Sequence, residues 1–283
     1  MAMGDTEIVE LTTGVYARLH EGLTNSGIIV SEDGVLVIDS LRVPSFGREL
    51  IKDVRRISEK PIRYVINTHS HWDHSWGNEE FPQSTIIGHT NCRQEMLDTE
   101  ITVRWRDKVV AAGDPWSVEA KSVEVTPPDL TFDRTLYLDF GGRAVDLHWF
   151  GRAHTSGDIF IHLPEDRILF TGDVAQDGGI PFMGDGYMLD WPETDARLLD
   201  LDVERFIGGH GPVGERSALF EARDFIVSIV SGTERAIISG QEKETAVSSV
   251  KESLSGQFSG WRRFEFLEDG IERAYDQILE AQK

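Results

Sequence analysis

The chain has 283 residues, of which 40% are hydrophobic and 27% are charged, an ordinary composition for a globular protein. It carries 28 basic and 49 acidic side chains, giving a formal net charge of −21. Such a field repels phosphate backbones and anionic lipid, which excludes nucleic acid and membrane surfaces as expected partners. The single cysteine, Cys92, excludes an intramolecular disulfide and a cysteine-based zinc site.

The N-terminal segment contains no basic region followed by an apolar stretch. No run of about 18 consecutive apolar residues, the minimum for a membrane span, occurs in the sequence. We therefore expect a cytoplasmic protein that is not inserted in a membrane.

Short apolar runs separated by turn residues open the chain and predict antiparallel strands. They cover Ile8–Leu11, Val15–Leu19, Gly27–Ser31 and Val35–Asp39. After Pro44, apolar residues recur at helical spacing and predict a helix. The next predicted elements are a strand at Ile62–Ile66, a strand at Ser84–Gly88 and a helix at Asn91–Asp98.

The segment from Thr99 to Pro128 shows no clear period, and we expect it to be irregular. Strands are predicted again at Leu136–Phe140, Ala144–Phe150, Asp158–Leu163 and Ile168–Thr171. A glycine-rich loop over 174–190 precedes a predicted helix near Asp195–Leu201 and a strand at Phe206–Gly208, and the chain beyond Pro212 reads as mostly helical.

Two halves in which strands precede helices predict two mixed sheets packed face to face with helices outside them. The expected class is α/β (α+β), a four-layer αββα sandwich. We assign residues 1–215 to the sandwich and residues 216–283 to a helical extension packed on it.

A histidine-rich motif follows the strand predicted at Ile62–Ile66. It reads His69-Ser-His71-Trp-Asp73-His74. Residues two apart in an extended segment point the same way, so His69 and His71 can share one metal ion. The chain must then turn, which directs Asp73 and His74 toward a second position nearby. Imidazole and carboxylate together suit zinc, iron, manganese or cobalt.

Three further candidate ligands stand where a predicted strand stops beside a glycine. His154 lies in a turn between two strands, Asp173 ends the run Ile-Leu-Phe-Thr-Gly-Asp, and His210 ends Phe-Ile-Gly-Gly-His. Glycine lets the backbone turn at each point, so all three side chains can converge at one end of the sheets. The sequence therefore predicts one metal centre built from distant segments.

The ordered set His-x-His-x-Asp-His, His, Asp, His resembles the metallo-β-lactamase-fold hydrolase superfamily over roughly residues 7–215. The resemblance implies that His69, His71 and His154 hold one metal ion. It implies that Asp73, His74 and His210 hold a second ion and that Asp173 bridges the two. The implied cofactors are two Zn²⁺ ions, with iron or manganese as alternatives.

Differences between this chain and other members of the superfamily reduce the number of functions that the resemblance implies. The best-known zinc β-lactamases of the fold lack an aspartate at the bridging position, whereas this chain has Asp173. Flavodiiron oxidoreductases carry a glutamate where this chain has His71, and the tRNA-processing nucleases conflict with the acidic charge. The sequence is therefore most similar to the general hydrolase or cyclase type with a bridging aspartate.

The resemblance implies that a metal-bridging hydroxide attacks the carbonyl of a small, largely apolar ester, lactone, thioester or amide, with β-lactam turnover as a side activity. Asp73 is expected to accept the proton as a catalytic residue. One alternative is a mononuclear iron persulfide dioxygenase of the same fold, and another is a metal-storing or scaffold protein without turnover.

Aromatic and methionine side chains in irregular segments predict an apolar substrate pocket, with the 174–190 loop as a wall. The candidates are Trp72, Trp76, Trp105, Trp116, Phe182, Met183, Tyr187 and Met188. Packing of the C-terminal helices or the interface of a homodimer is the other interpretation of these residues. Thr68, Thr155 and Ser156 are candidates for hydrogen bonds to the ligand imidazoles. The histidines outside every motif, namely His20, His89, His148 and His162, are interpreted as structural.

Overall fold

The first of two β-sheets contains the N-terminal strands in chain order. In the computed structural model, which describes residues 6–283, these strands are β1 (Thr6–Thr12), β2 (Val15–His20), β3 (Ser26–Ser31), β4 (Gly34–Ile38), β5 (Ile62–Ile66), β6 (Thr85–His89) and β7 (Leu130–Phe132). Neighbours from β1 to β4 pair antiparallel, and neighbours from β4 to β7 pair parallel. The sheet is therefore mixed.

The second sheet has the spatial order β13-β12-β11-β10-β9-β8. Its strands are β8 (Thr135–Asp139), β9 (Ala144–His148), β10 (Phe160–Leu163), β11 (Ile168–Gly172), β12 (Arg205–Gly208) and β13 (Val213–Glu215). Only β11 and β12 pair parallel, and the other neighbours pair antiparallel. This sheet is mixed as well.

The two sheets pack face to face on apolar side chains that alternate along each strand. Ile29 and Ile66 of the first sheet share one buried cluster with Ile161 and Ile207 of the second. Because successive strand residues point to opposite faces, the neighbours of these residues face outward and require covering helices.

Helices cover both outer faces. The first sheet is covered by α1 (Pro44–Ile57), α2 (Trp72–Ser75), α3 (Thr90–Leu97), α4 (Thr99–Ala112) and α5 (Ser117–Ala120). Leu50 of α1 and Val109 of α4 share a buried cluster with Val65 of β5. The second sheet is covered by α6 (Trp191–Leu198), α7 (Arg216–Ile238), α8 (Lys243–Phe258) and α9 (Leu267–Ala281), which share a cluster with Phe206 of β12. These layers confirm the predicted αββα sandwich.

The C-terminal helices pack on the same cluster as α6, and α7 begins directly after β13. The division of the chain at residue 215 stays a prediction. Among residues 6–283, no helix combines the length and the apolar character that crossing a bilayer requires.

The expectation of irregular structure from Thr99 to Pro128 is wrong over its first half, which forms α4. The carboxylate of Asp98 caps this helix by accepting two backbone N–H bonds of its first turn. Trp105 and Val109 are buried one helical turn apart. Charged residues between these apolar positions mask the helical period in the sequence.

Two smaller differences concern one helix boundary and two short strands. The helix predicted at Asp195–Leu201 begins earlier, at Trp191, because Pro192 is tolerated in the first turn, where its missing N–H costs no hydrogen bond. Two short strands, β7 and β13, were not predicted, since three residues are too few to show an alternating pattern.

Candidate metal centre

The candidate ligands gather at the edge where the parallel strands end. β5 leads into His69, β11 into Asp173 and β12 into His210, while His154 lies in the loop between β9 and β10. Carboxyl ends of parallel strands that lie side by side bring the following residues together, and the two packed sheets place both sets at the same edge. Residues far apart in sequence thereby share one site.

The first group joins three imidazoles, those of His69, His71 and His154, and all three residues are buried. His154 Nε2 lies 2.8 Å from His71 Nδ1, and the ring centroids of His69 and His154 are 4.8 Å apart. Three imidazoles around one point are a common ligand set for zinc.

The second group contains Asp73, His74 and His210. Nε2 of His210 lies 3.4 Å from Asp73 Oδ2, and Nε2 of His74 lies 3.8 Å from the same oxygen. Two atoms that bind one ion at about 2.1 Å with a tetrahedral angle lie about 3.4 Å apart. The spacing therefore matches a shared ion better than a direct hydrogen bond.

Asp173 lies between the two groups. Its Oδ1 is 3.4 Å from His74 Nε2, and its Oδ2 is 3.7 Å from His154 Nε2 and 3.4 Å from His210 Nε2. The carboxylate thus faces ligands of both groups.

The donor atoms fit metal ions. Nε2 of His69, Nε2 of His74 and Oδ1 of Asp173 are buried and have no hydrogen-bond partner among the described residues. An unpaired buried polar atom costs about 1–3 kcal/mol, and coordination of a cation removes that cost. Imidazole with carboxylate suits zinc, iron or manganese, so the residues present can hold divalent transition ions.

Asp39 supports the site from behind and was missed by sequence reasoning. Its Oδ2 accepts hydrogen bonds from His74 Nδ1 at 2.7 Å and from Thr68 Oγ1 at 2.8 Å. Thr68 Oγ1 also lies 2.9 Å from Nδ1 of His69. One buried carboxylate thereby orients imidazoles of both groups. A signal existed, because Asp39 ends an apolar strand as Asp173 does.

The other two predicted imidazole partners form different hydrogen bonds. Thr155 bonds Asp158 through its backbone N–H and its hydroxyl, each at 2.8 Å, and Ser156 donates its hydroxyl to Glu95 at 2.5 Å. These bonds shape the loop that carries His154 rather than contact its ring. Side chains in such a turn form hydrogen bonds with the turn's own backbone N–H groups. The sequence spacing alone does not show which acceptor a hydroxyl group bonds.

Two imidazoles of the first group, those of His69 and His154, are held in the neutral form that binds metal ions. Burial lowers the pKa of His69 well below its usual value, and burial together with His71 lowers the pKa of His154 to about 3. Neutral imidazole is the ligand form, so these two residues are prepared for a cation.

The second group behaves differently. Burial would lower the pKa of His74 and of His210, but nearby carboxylates outweigh burial and raise both values. Asp173 acts on both imidazoles, and Asp73 is the largest such influence on His74. In the metal-free protein these imidazoles therefore hold protons that a cation must displace.

A cavity of about 380 Å³ opens onto the ligands. Its lining includes four of them, namely His71, Asp73, Asp173 and His210. The remaining lining residues include the aromatic side chains of Trp72, Trp105, Trp116, Phe182 and Phe266 and the cations Arg42, Lys108 and Arg263. The three cations were not predicted to meet there, since they come from segments far apart in sequence.

The predicted pocket residues divide into two sets. Trp72, Trp105, Trp116 and Phe182 line this cavity, and Tyr187 lines a neighbouring cavity of about 240 Å³ with Trp105. The other three candidates, Trp76, Met183 and Met188, are at most 3% exposed and belong to the hydrophobic clusters on the outer faces of the sheets. Packing is the role of these three side chains in the structure.

Asp185 is a further missed neighbour of the ligands. Its Oδ2 lies 3.5 Å from Nε2 of His71 and 2.9 Å from Arg104. Burial would raise its pKa, but His71 and Arg104 lower it to about 2. The carboxylate stands on the far side of the His71 ring from His154 and can fix that ring's orientation.

Comparison with known proteins agrees with this geometry. The family model described as the metallo-beta-lactamase superfamily matches residues 20–210, which include every candidate ligand. The chain therefore belongs to the metallo-beta-lactamase superfamily, and it is a metal-dependent hydrolase of that superfamily.

Individual relatives are distant. The chain is 24% identical to a metallo-beta-lactamase type 2 of Bacillus cereus over 235 residues, covering 79% of this chain and 83% of that protein. It is 28% identical to the human acyl-coenzyme A thioesterase MBLAC2 over 223 residues, covering 74% of this chain and 71% of that protein. The solved structure of a double mutant of the sec-alkyl sulfatase PisA1 superposes with a TM-score of 0.77 at 15% identity, over 97% of this chain and 50% of that one.

Proposed function

We propose that this chain is a dinuclear, zinc-dependent hydrolase of an ester, lactone, thioester or amide bond in a small substrate that carries both an apolar body and an anionic group. The observation that carries the proposal is a cavity in which ligands of both metal groups face aromatic and cationic side chains. β-Lactam turnover is expected only as a side activity.

The aromatic walls account for the apolar part of the substrate. Trp72, Trp116 and Phe182 line the cavity beside Asp73 and Asp173. Burial of apolar surface contributes about 25 cal/mol per Å², so contact with such walls binds an alkyl or aryl group.

Arg42 supplies the strongest argument for an anionic group. It is 4% exposed, its guanidinium lies 4.5 Å from the ring centroid of Trp116, and it donates to Thr24 Oγ1 at 3.2 Å. Burial lowers its pKa to about 10, so it remains a cation at neutral pH. Asp73 and Asp114 act on this cation without forming a salt bridge with it, and an anionic ligand further offsets the cost of its burial.

Two more cations lie on the same cavity. Nζ of Lys108 is 4.3 Å from the centroid of Phe182, and Arg263 Nη2 lies 3.0 Å from His210 Nδ1. Within residues 6–283, neither of these two nor Arg42 forms a salt bridge with a carboxylate. Asp114 and Asp269 also line the cavity and partly offset the three positive charges. The remaining excess of positive charge favours a substrate with one anionic group near the metal centre over a polyanion.

Two divalent ions at this site, when bound, lower the pKa of a water molecule toward about 7 and polarise the carbonyl oxygen of the substrate. The chain's own contribution is orientation and proton transfer. Burial would raise the pKa of Asp73, but His74 and His210 lower it well below its usual value, so its carboxylate is ionised at neutral pH and can accept a proton. Thr24 donates to Asp73 Oδ2 at 2.8 Å and holds that carboxylate in place.

The relatives support the range of bonds. One is named as a β-lactamase and one as an acyl-coenzyme A thioesterase, which are activities on amide and thioester bonds. A small-molecule substrate follows from the superfamily. The cytoplasmic location and a homodimer stay predictions.

Elemental analysis and a matched substrate pair test the proposal. The pair is an aryl hexanoate and the aryl monoester of hexanedioic acid, which differ in one terminal carboxylate. We expect about two zinc ions at the metal centre per chain and a kcat/KM that is about tenfold or more higher for the charged ester. That factor corresponds to about 1.4 kcal/mol. Lactone, thioester, β-lactam and phosphodiester substrates complete the panel.

Arg263→Gln should remove most of the preference for the charged ester, since a hydrogen bond to a charged group contributes about 1.5–3 kcal/mol. Arg48→Gln, which changes an exposed arginine of α1 paired with Glu80, is the matched control. One iron per chain with oxygen consumption on a persulfide would support the dioxygenase alternative instead. A phosphodiester that is the best substrate would contradict the proposed bond type.

A further inference from the structure

A second set of metal-binding side chains lies on the outer face of the second sheet, outside the metal centre. Asp146 and His148 are two residues apart on β9 and therefore point to the same face. His162 of β10 pairs directly with Asp146 across the two strands. Directly opposed residues have Cβ atoms about 4.5–5.5 Å apart, so a carboxylate and two imidazoles converge here.

The geometry permits one ion. One ligand atom from each of the three residues lies within 4.8 Å of the others. Two atoms sharing an ion at about 2.1 Å lie about 3.4 Å apart, so a rotation of the half-buried Asp146 and His148 side chains closes the set. Among residues 6–283, neither the Asp146 carboxylate nor the His148 ring forms a hydrogen bond or an ion pair.

His162 is prepared for coordination by its neighbour. It is 6% exposed, and its Nε2 donates to the backbone oxygen of Asp202 at 3.2 Å. A ring nitrogen that donates to a carbonyl leaves the other nitrogen with a free lone pair, which is the arrangement that orients metal-binding histidines.

The ring of His148 stacks on a neighbouring aromatic side chain. Its ring lies 5.3 Å from that of Phe150 at an interplanar angle of 9°, and Phe150 stacks in turn on Phe160 at 5.4 Å. Burial lowers the pKa of His148 although Asp146 acts in the opposite direction, so the ring is neutral at neutral pH. Neutral imidazole is the form that binds metal ions.

We propose that Asp146, His148 and His162 form an additional site for a divalent transition ion such as Zn²⁺, which clamps β9 to β10. Two imidazoles and one carboxylate with water as the fourth ligand match the preference of zinc. The ion would lie next to the loop that carries a candidate ligand of the metal centre. β9 and β10 flank residues 149–159, and this loop contains His154. An ion at the base of this hairpin stabilises the loop without contacting substrate.

The zinc content of the full chain tests the site. At saturating Zn²⁺ followed by removal of free ion, the wild-type protein should retain one ion more than His148→Ala or His162→Ala, with an affinity loss of about tenfold or more at that position. His89→Ala is the matched control, because it removes an imidazole stacked on Trp149 beside the same hairpin but outside the cluster. The control should keep the wild-type zinc content, and both cluster variants should keep hydrolytic activity when the metal centre is loaded.

An NMR titration of the wild-type protein tests the site without any substitution and without measuring hydrolysis. In a zinc titration followed by imidazole ¹H–¹⁵N NMR, the resonances of His148 and His162 should shift together in a step separate from those of His69 and His71. If the His148 and His162 resonances stay unchanged up to saturating Zn²⁺, the additional site does not exist. Equal zinc content in wild type and both cluster variants would overturn it as well.

Discussion

The imidazole of His74 donates its Nδ1–H to the carboxylate of Asp39 across 2.7 Å, and both residues are almost fully buried. A carboxylate only accepts hydrogen bonds at neutral pH, so this contact keeps a proton on Nδ1 and leaves Nε2 as the nitrogen that can bind a metal ion once its own proton is displaced. That nitrogen faces Asp73 and Asp173. The orientation of a candidate ligand is thus set by a residue directly after β4 that is not itself a ligand.

Asp39→Asn should weaken metal binding at the second group by about 10- to 100-fold, the usual effect of removing an outer-shell partner. Asparagine tolerates the left-handed backbone of this position, where φ is 60°, so the fold should persist. Competition with a chromophoric chelator measures the affinity. Asp33→Asn, in an exposed turn, should leave it unchanged, and an unaltered affinity in Asp39→Asn would show that His74 needs no carboxylate to orient it.

Gly209→Ala should abolish stable metal binding. A Cβ at residue 209 would collide with Oδ1 of Asp173 and stand 2.6 Å from Cε1 of His74. The backbone cannot move away easily, because Gly209 hydrogen-bonds Gly172 and Asn25 at 2.7 Å each. Elemental analysis after dialysis measures the loss. Gly256→Ala in α8 is the control, since a Cβ there meets nothing within 4 Å, and full metal content in Gly209→Ala would contradict the packing of this turn.

Asp73→Asn should lower kcat by roughly 10²-fold or more, on the scale of general acid–base catalysis, because the amide keeps the shape but cannot accept the proton. Metal content should fall less steeply, since the amide oxygen remains a possible ligand. Kinetics of metal-saturated protein separate the two effects. Activity close to that of the wild type would limit Asp73 to binding a metal ion.

Metal binding should depend on pH differently in the two groups. The pKa values of His74 and His210 are raised, so both imidazoles are protonated at a pH where His69 and His154, with lowered pKa values, are neutral. A cation displaces those protons, and the affinity of the second group should therefore fall as the pH drops below the raised values and level off above them. His69 and His154 of the first group should release few protons on metal binding near pH 6.

Calorimetric titration in two buffers of different ionisation enthalpy measures this proton release directly. We expect two binding steps at pH 6 that approach each other at pH 8.5. Equal proton release in both steps at pH 6 would show that the carboxylates around His74 do not hold its proton.

The sequence by itself determined the candidate ligands, because local chemistry identifies them. Four of them lie within six residues, and the others stand at strand ends marked by glycine. The αββα class was also predicted from the short apolar runs. The order of the candidate ligands, which resembles that of the metallo-β-lactamase superfamily, implied the same class. Both inferences depend on patterns within a few residues, where spacing alone decides which side chains point together.

Only the tertiary structure decided which residues surround these ligands. Asp39 precedes His74 by 35 positions, and Arg263 follows His210 by 53, so no local period connects either pair. The same holds for Asp146 and His162, which meet only because β9 and β10 pair in one register. Packing against residues distant in sequence fixes such contacts, and a one-residue shift of that register would turn His162 to the opposite face.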